Sequence, residues 1–215
     1  KVKVVFDEHP DKPQFFNSGN LTRGSFRNAY HPFIYGKGYL GDGKYKAVDS
    51  NGSSVTYGKW TNAIMRCYCP ESLKIRPKYE GCTVSEHFLC YQNFAEWYTN
   101  HEFYGCGYEL DKDLLVRGNK VYSADTCCLL PQEINKLIID SGVQKGDYPI
   151  GVSLHHDKSG FISRMSTDKG EKYLGFYKTP EEASAVYVEA KEKYVKYVAE
   201  KWHGKIEERA YQALM

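Results

Sequence analysis

The sequence predicts an α+β protein, and three observations carry that reading. Between Tyr108 and Asn135, two short apolar runs flank the turn-forming dipeptide Gly118-Asn119 and lead to Pro131, in the order strand, loop, strand, helix. Beyond Pro149, three short alternating runs are separated by the turns His156–Gly160 and Asp168–Gly170. Directly after them, Thr179-Pro180-Glu181-Glu182 spells a helix start: hydroxyl N-cap, proline at N1 and a glutamate at N3 that completes a capping box.

Taken in order, residues 1–59 are rich in Gly, Asn, Ser and Tyr, with a strand expected over Lys1 to Phe6. Tyr35 to Tyr45 forms a glycine-punctuated loop in which Lys37, Lys44 and Lys46 interleave with Tyr35, Tyr39 and Tyr45. Two readings stand side by side: a surface in which Lys37 and Lys44 track a DNA backbone, or a loop whose tyrosines pack on the region that follows. It matches neither a dinucleotide fingerprint nor a P-loop. Residues 60–99 read as two helices joined by a polar connector between Pro70 and Pro77. Trp60, Ala63, Ile64 and Cys67 share one face of the first, with Arg66 off that stripe. The second starts near Ser85 and carries Phe88, Phe94, Trp97 and Tyr98 as an aromatic core face. His87 reads as a surface histidine, while His101 lies nearer the acidic strand.

At 215 residues the chain has room for one large domain or two small ones. Its formal net charge is only +2, so bulk attraction to nucleic acid is not implied. Charge distribution says more. Residues 1–59 carry nine Lys/Arg against five Asp/Glu, residues 60–149 nine against twelve, and residues 150–215 eleven against ten. The acidic middle suits a cation site. No apolar run approaches the length of a membrane span. Seven cysteines with no leader-like segment suggest reduced thiols in a cytoplasm. Cys67 and Cys69 are too close for the usual zinc knuckle, and neighbours Cys127 and Cys128 point to opposite strand faces, so small core residues are the plainer reading.

The chemistry gathers between Tyr108 and Asn135. Asp111, Asp113 and Asn135 offer oxygen ligands of the kind a hard cation such as Mg²⁺ prefers. The pattern LDKDLL…GNKVYS…TC…LP..IN resembles the endonuclease-like HNH proteins of bacteriophages, in the ββα-metal nuclease superfamily. Trp60…Arg66-Cys67-Tyr68…Tyr79-x-Gly81…Phe94…Trp97 and the glycine-rich loop also resemble segments of that family. The resemblance implies a ββα-metal region over residues 60–140, one Mg²⁺ or Mn²⁺ ion on Asp111 with Asp113 or Asn135, and an occasional structural Zn²⁺, which is not favoured here. It also places Lys112 where the family has its general-base histidine. A lysine is a poor base near neutral pH unless its pKa falls by several units. Three accounts stay open: Lys112 is shifted or acts electrostatically, another group such as His101 is the base, or the chain binds without cutting.

Residues 149–215 form the second readable part, joined through Asp140–Tyr148. The run GVS…GFISRM…KYLGFYKTPEEASAVY resembles the APETALA/ethylene-response-factor DNA-binding domain, a small three-stranded sheet packed on one helix. The resemblance implies a sheet lying in the major groove. Alternation turns Val152, Phe161, Met165 and Leu174 toward the helix, and Ser153, His155, Ile162, Arg164, Ser166 and Tyr173 toward DNA. Lys158 and Lys172 are further phosphate contacts on this reading, and Arg164 has the reach for guanine or phosphate. Several positions occupied by arginine or tryptophan in the plant proteins are here Ser153, His155, Ser166 and Tyr173, so the plant target does not transfer.

The combined expectation is a metal-dependent, homing-like DNA endonuclease acting on double-stranded DNA in the cytoplasm of a phage-infected bacterium. Asp111, Lys112, Asn135 and His101 are its candidate catalytic residues. Two other classes are kept: a non-catalytic DNA-binding regulator or counter-defence protein on a degenerate nuclease frame, and an inhibitor that binds a protein partner through the tyrosine-rich loop.

Overall fold

The computed structural model is mixed α+β with small sheets, and it describes residues 1–50, 52–138 and 147–215. The chain divides into two compact units, Lys1–Leu129 and Leu130–Met215.

The first unit opens with an antiparallel hairpin, β1 (Val2–Phe6) and β2 (His9–Phe16), the second strand unforeseen because Pro10 and Pro13 interrupt its pattern. Phe6, Phe16 and Phe26 cluster on it at ring separations of 5.6–6.2 Å. A short helix, α1 (Ser18–Thr22), and the glycine-rich loop follow, then the pair β3 (Val48–Asp49) and β4 (Gly52–Ser53). Helix α2 (Val55–Tyr68) begins five residues before Trp60, because the Ser54 hydroxyl accepts the Tyr57 N–H as an N-cap. It buries the expected stripe of Trp60, Ala63, Ile64 and Cys67.

The connector between the prolines is not irregular. It forms α3 (Pro70–Ile75) and a 3₁₀ turn over Pro77–Tyr79, each proline sitting where a first turn has no use for an N–H. Strand β5 (Thr83–Val84) leads to α4 (Glu86–Leu89), capped by Ser85, and to α5 (Tyr91–Asn100), which buries Tyr91, Phe94, Ala95 and Tyr98. Next come β6 (Glu109–Asp111) and β7 (Val121–Tyr122), the latter parallel to β5. Strand β8 (Cys128–Leu130), in which the division falls, pairs with β6. The core of this unit is largely aromatic, centred on Trp60, Phe88, Tyr91, Phe94 and Tyr122. The Trp60 indole N–H is satisfied by the Phe88 carbonyl at 2.7 Å.

The glycine-rich loop lies directly on that core. A Cβ at Gly38 would stand 2.5 Å from Ile64 Cδ1 and 2.9 Å from the Trp60 ring, and one at Gly43 would meet the Gln92 amide. That amide in turn bonds the backbone of Tyr45 in both directions at 2.9 Å. The packing reading of the loop therefore holds, with Lys37 and Lys44 exposed on its outside. Gly38→Ala is expected to cost about 1–3 kcal/mol in urea unfolding through overpacking against two side chains of the core. An unchanged midpoint would mean that the loop does not seat there.

The second unit begins with helix α6 (Gln132–Ile138). Its antiparallel sheet has the order β11-β10-β9, with β9 (Val152–Leu154), β10 (Phe161–Thr167) and β11 (Gly170–Tyr177). Helix α7 (Pro180–Trp202) packs on one face, and its capping box is formed in both directions between Thr179 and Glu182. Glu133 ties α6 to α7 by accepting from Lys201 Nζ at 2.7 Å and Trp202 Nε1 at 2.8 Å. Gly204, at φ +72°, stops α7 as expected, and a further helix, α8 (Glu208–Leu214), buries Ala210 and Leu214. Most of the expected connector Asp140–Tyr148 lies outside the described residues. No helix among the described residues is long and apolar enough to cross a membrane.

Candidate functional site

The acidic strand is shorter than its sequence implies. The run Leu110–Leu115 was expected to continue as a strand, but β6 ends at Asp111. There Asp111 Oδ2 accepts the backbone N–H of Asp113 at 2.9 Å and of Leu114 at 2.8 Å, turning the chain with its own side chain. Asp111 is buried, and burial pushes its carboxyl above the ordinary Asp value despite those two N–H groups. Its Oδ1 carries no hydrogen bond among the described residues, which leaves one carboxylate oxygen for a cation. Asp113 is different: its side chain is mostly exposed and one oxygen is held by Lys112.

Lys112 is buried, with Nζ bonded to Asp113 Oδ1 and to the Asn119 carbonyl at 3.2 Å, and it lies 5.7 Å from the ring centres of both Tyr79 and Tyr122. Burial alone would depress this ammonium. The hydrogen bond and charge of Asp113 outweigh that and hold its pKa above the usual lysine value. Lys112 is thus held protonated, which argues against the account in which its pKa falls far enough to accept a proton. Asn119 clamps the same loop, donating to the carbonyls of Lys112 at 2.6 Å and Val121 at 2.7 Å and accepting the Val121 N–H.

His101 ends α5 and packs edge-on against Trp97, and its Nδ1 accepts the Phe103 N–H at 3.2 Å. A neutral ring so bonded carries its hydrogen on Nε2, and its one free lone pair is already taken. His101 is therefore a capping residue in this arrangement and is not poised as a base. Asn135 stands half-buried in the first turn of α6. Asp111 and Asn135 belong to different compact units.

Mg²⁺ is commonly held by one or two carboxylates plus waters, a demand the Asp111 carboxylate with its open oxygen fits. Among the described residues no group of three His, Cys, Asp or Glu is gathered as a metal cage. Burial pushes the thiols of Cys67 and Cys127 up to about 12. Beside β6 opens a polar cavity of about 330 Å³ lined by Lys59, Asn62, Arg66 and Glu109, with a Lys59–Glu109 ion pair of 2.6 Å. Sequence reasoning passed over Lys59 and Glu109. Their only signal was that Lys59, Asn62 and Arg66 recur at helical spacing on the polar side of α2.

In the second unit the strand register settles the faces. Ser163 and Met165 are buried toward α7, and cross-strand partners share a face. Ser153, Ile162, Arg164, Ser166 and Tyr173 therefore line the outer face, as alternation predicted, and His155 joins them by packing against the Phe176 ring at 5.4 Å. Lys172 does not. It pairs with Met165 and so lies on the helix side, where it lines a cavity with Val186, Ala190 and Tyr194. A bulge between Ser163 and Arg164 inserts Leu174 as an extra residue, with Gly175 at φ +142°. Lys158 occupies the tip of the β9–β10 turn at φ +60° and is exposed.

The outer face also holds an acid. Glu171, opposite Ser166, pairs with Arg164 at 3.5 Å. Asp157, at the edge, accepts from Ser159 and His155, which together hold its carboxyl well below the ordinary range. If this face seats DNA, Glu171→Gln should tighten duplex binding about 3- to 10-fold in a titration by fluorescence anisotropy, since it removes repulsion and frees Arg164. Unchanged affinity would place the DNA elsewhere. Comparison of the chain with family models, curated proteins and solved structures found no match.

Proposed function

We propose that this chain is a metal-dependent endonuclease of double-stranded DNA, built on an HNH-like ββα-metal region and holding its substrate through the C-terminal sheet. One observation carries the reading: the order β6, a loop that holds β7, then β8 and α6, with a buried aspartate ending the first strand and keeping one oxygen open. Asp111 would hold a Mg²⁺ or Mn²⁺ ion, which when bound would polarise the scissile phosphate and stabilise the leaving oxygen. The Asp113 and Leu114 N–H groups orient the Asp111 carboxylate, and Asn119 keeps the following loop closed. Lys112 supplies a fixed positive charge. Arg164, Tyr173, Ser153 and Ser166 offer the duplex a polar surface on which Arg164 is shared with Glu171. The test is nicking of supercoiled plasmid with Mn²⁺: conversion by wild type and none by Asp111→Ala is expected. No conversion by wild type, or equal conversion by the variant, defeats the catalytic claim.

The second reading, a DNA-binding protein without catalysis, is favoured by the state of Lys112 and His101, neither of which offers a free lone pair. Duplex binding that falls with salt, in a chain that never nicks, selects it.

A further inference from the structure

The segment Lys74-Ile75-Arg76-Pro77-Lys78 runs from the last turn of α3 into the following 3₁₀ turn and has no part in the site described above. Its three cations are exposed, and Ile75 between them is 79% exposed, the most of any large hydrophobic side chain among the described residues. Lys120 lies alongside, its Nζ donating to the carbonyls of Lys78 and Glu80 at 3.1 Å each, and this contact sets the exposed Arg117 loop next to the segment. Among the described residues none of Lys74, Arg76, Lys78 and Arg117 has a carboxylate within ion-pair range. Beneath them Tyr79 is ringed by charge, with Arg66, Lys78 and Lys112 at 5.5–5.7 Å from its centre. The helix dipole accounts for a cation at Lys74 alone, in the last turn of α3. An isoleucine held out into water between two exposed cations has no account in the folding of this chain.

We propose that Lys74–Lys78, with Arg117 and Lys120 beside it, is a seat for the phosphate backbone of duplex DNA, with Ile75 pressed into the groove between the strands. This rests on the reading of the chain as a protein that acts on DNA, and it gives the first unit a DNA surface of its own. Cations flanking an exposed aliphatic wedge match a minor groove, where phosphates border both sides and apolar side chains enter between base steps. Single strands would call for exposed aromatic platforms, and Tyr79 is half-buried under its cations. The loop that carries Arg117 and Lys120 begins at Asp111, so phosphates seated there run beside the candidate cation ligand.

The test uses the full chain, a short fluorescent duplex and EDTA, with affinity measured between about 50 and 200 mM salt. Lys74→Gln/Arg76→Gln/Lys78→Gln should lower the slope of log affinity against log salt by about 3, and Ile75→Ser should weaken binding without changing the slope. The control Lys1→Gln/Lys3→Gln/Lys12→Gln removes equal charge from the hairpin and should leave both unchanged. Equal slopes for wild type and the first variant, or an equal loss in the control, overturn the proposal while leaving DNA action intact. Absence of any duplex binding by wild type overturns both together.

Discussion

Asp111→Asn is expected to stop metal-dependent nicking and, without metal, to make the chain more stable. The asparagine oxygen can still accept from the Asp113 and Leu114 N–H groups, so the turn after β6 survives. What disappears is a buried negative charge. Because the Asp111 carboxyl is raised above the usual 3.8, the folded chain holds that proton more tightly than the unfolded chain does. Its contribution to stability is complete below the usual value and is lost as pH rises through the folded one, so at neutral pH the ionised carboxylate is a net cost. The variant should gain about 1 kcal/mol at pH 7, or roughly 2–4 °C in Tm, and the gain should shrink as pH is lowered toward 3.8. Loss of residues behind the ligands of a metal commonly costs 10–100-fold, so loss of a ligand should reduce nicking by at least about 100-fold. Mn²⁺ should raise the Tm of wild type and not of the variant. A less stable Asn variant would sink the account of Asp111 as a buried carboxylate whose charge costs stability at neutral pH.

Asp113→Ala is expected to destabilise the fold far more than Lys112→Met, although Asp113 is the exposed partner. The aspartate side chain is 60% exposed and the lysine only 5%. Without Asp113 a buried ammonium is left with the Asn119 carbonyl and two aromatic faces, a loss of about 2 kcal/mol once solvent screening on the aspartate side is allowed for. Without Lys112 the aspartate simply returns to water, and methionine fills the space between Tyr79 and Tyr122, so the change should stay within about 1 kcal/mol. Adding Lys112→Met to Asp113→Ala should restore most of the loss, a coupling that urea denaturation of all four chains measures.

The same pair sets a pH signature. The raised Lys112 contributes stability that is complete below the usual 10.5 and is lost only above it, so the residue does not titrate between pH 6 and 9. Nicking should therefore climb steadily with pH over that range, with hydroxide supply, and without the plateau a histidine base would impose. A plateau above pH 7 would show that a base does operate.

Local features were legible without coordinates because each is written in adjacent residues. The box Thr179–Glu182, the stop at Gly204, the Trp60–Cys67 stripe and the three C-terminal strands depend on spacing and on hydrogen bonds that close within one turn or one alternation. Side-chain roles that hang on distant partners were not. That Lys112 is held charged depends on Asp113 but also on burial against Tyr79 and Tyr122, and the side of the sheet taken by Lys172 follows from its pairing with Met165. The glycine-rich loop looked equally fit for phosphate until Gly38 was found against Trp60. By itself the sequence determined the helices with clear caps or apolar stripes and the three C-terminal strands, since capping and period are properties of neighbours along the chain, whereas β2, α3 and the end of β6 were not legible there. The tertiary structure alone decided which charges are buried, which lone pairs are spent and which face each lysine occupies, because burial and pairing are made by residues that meet only when the chain folds.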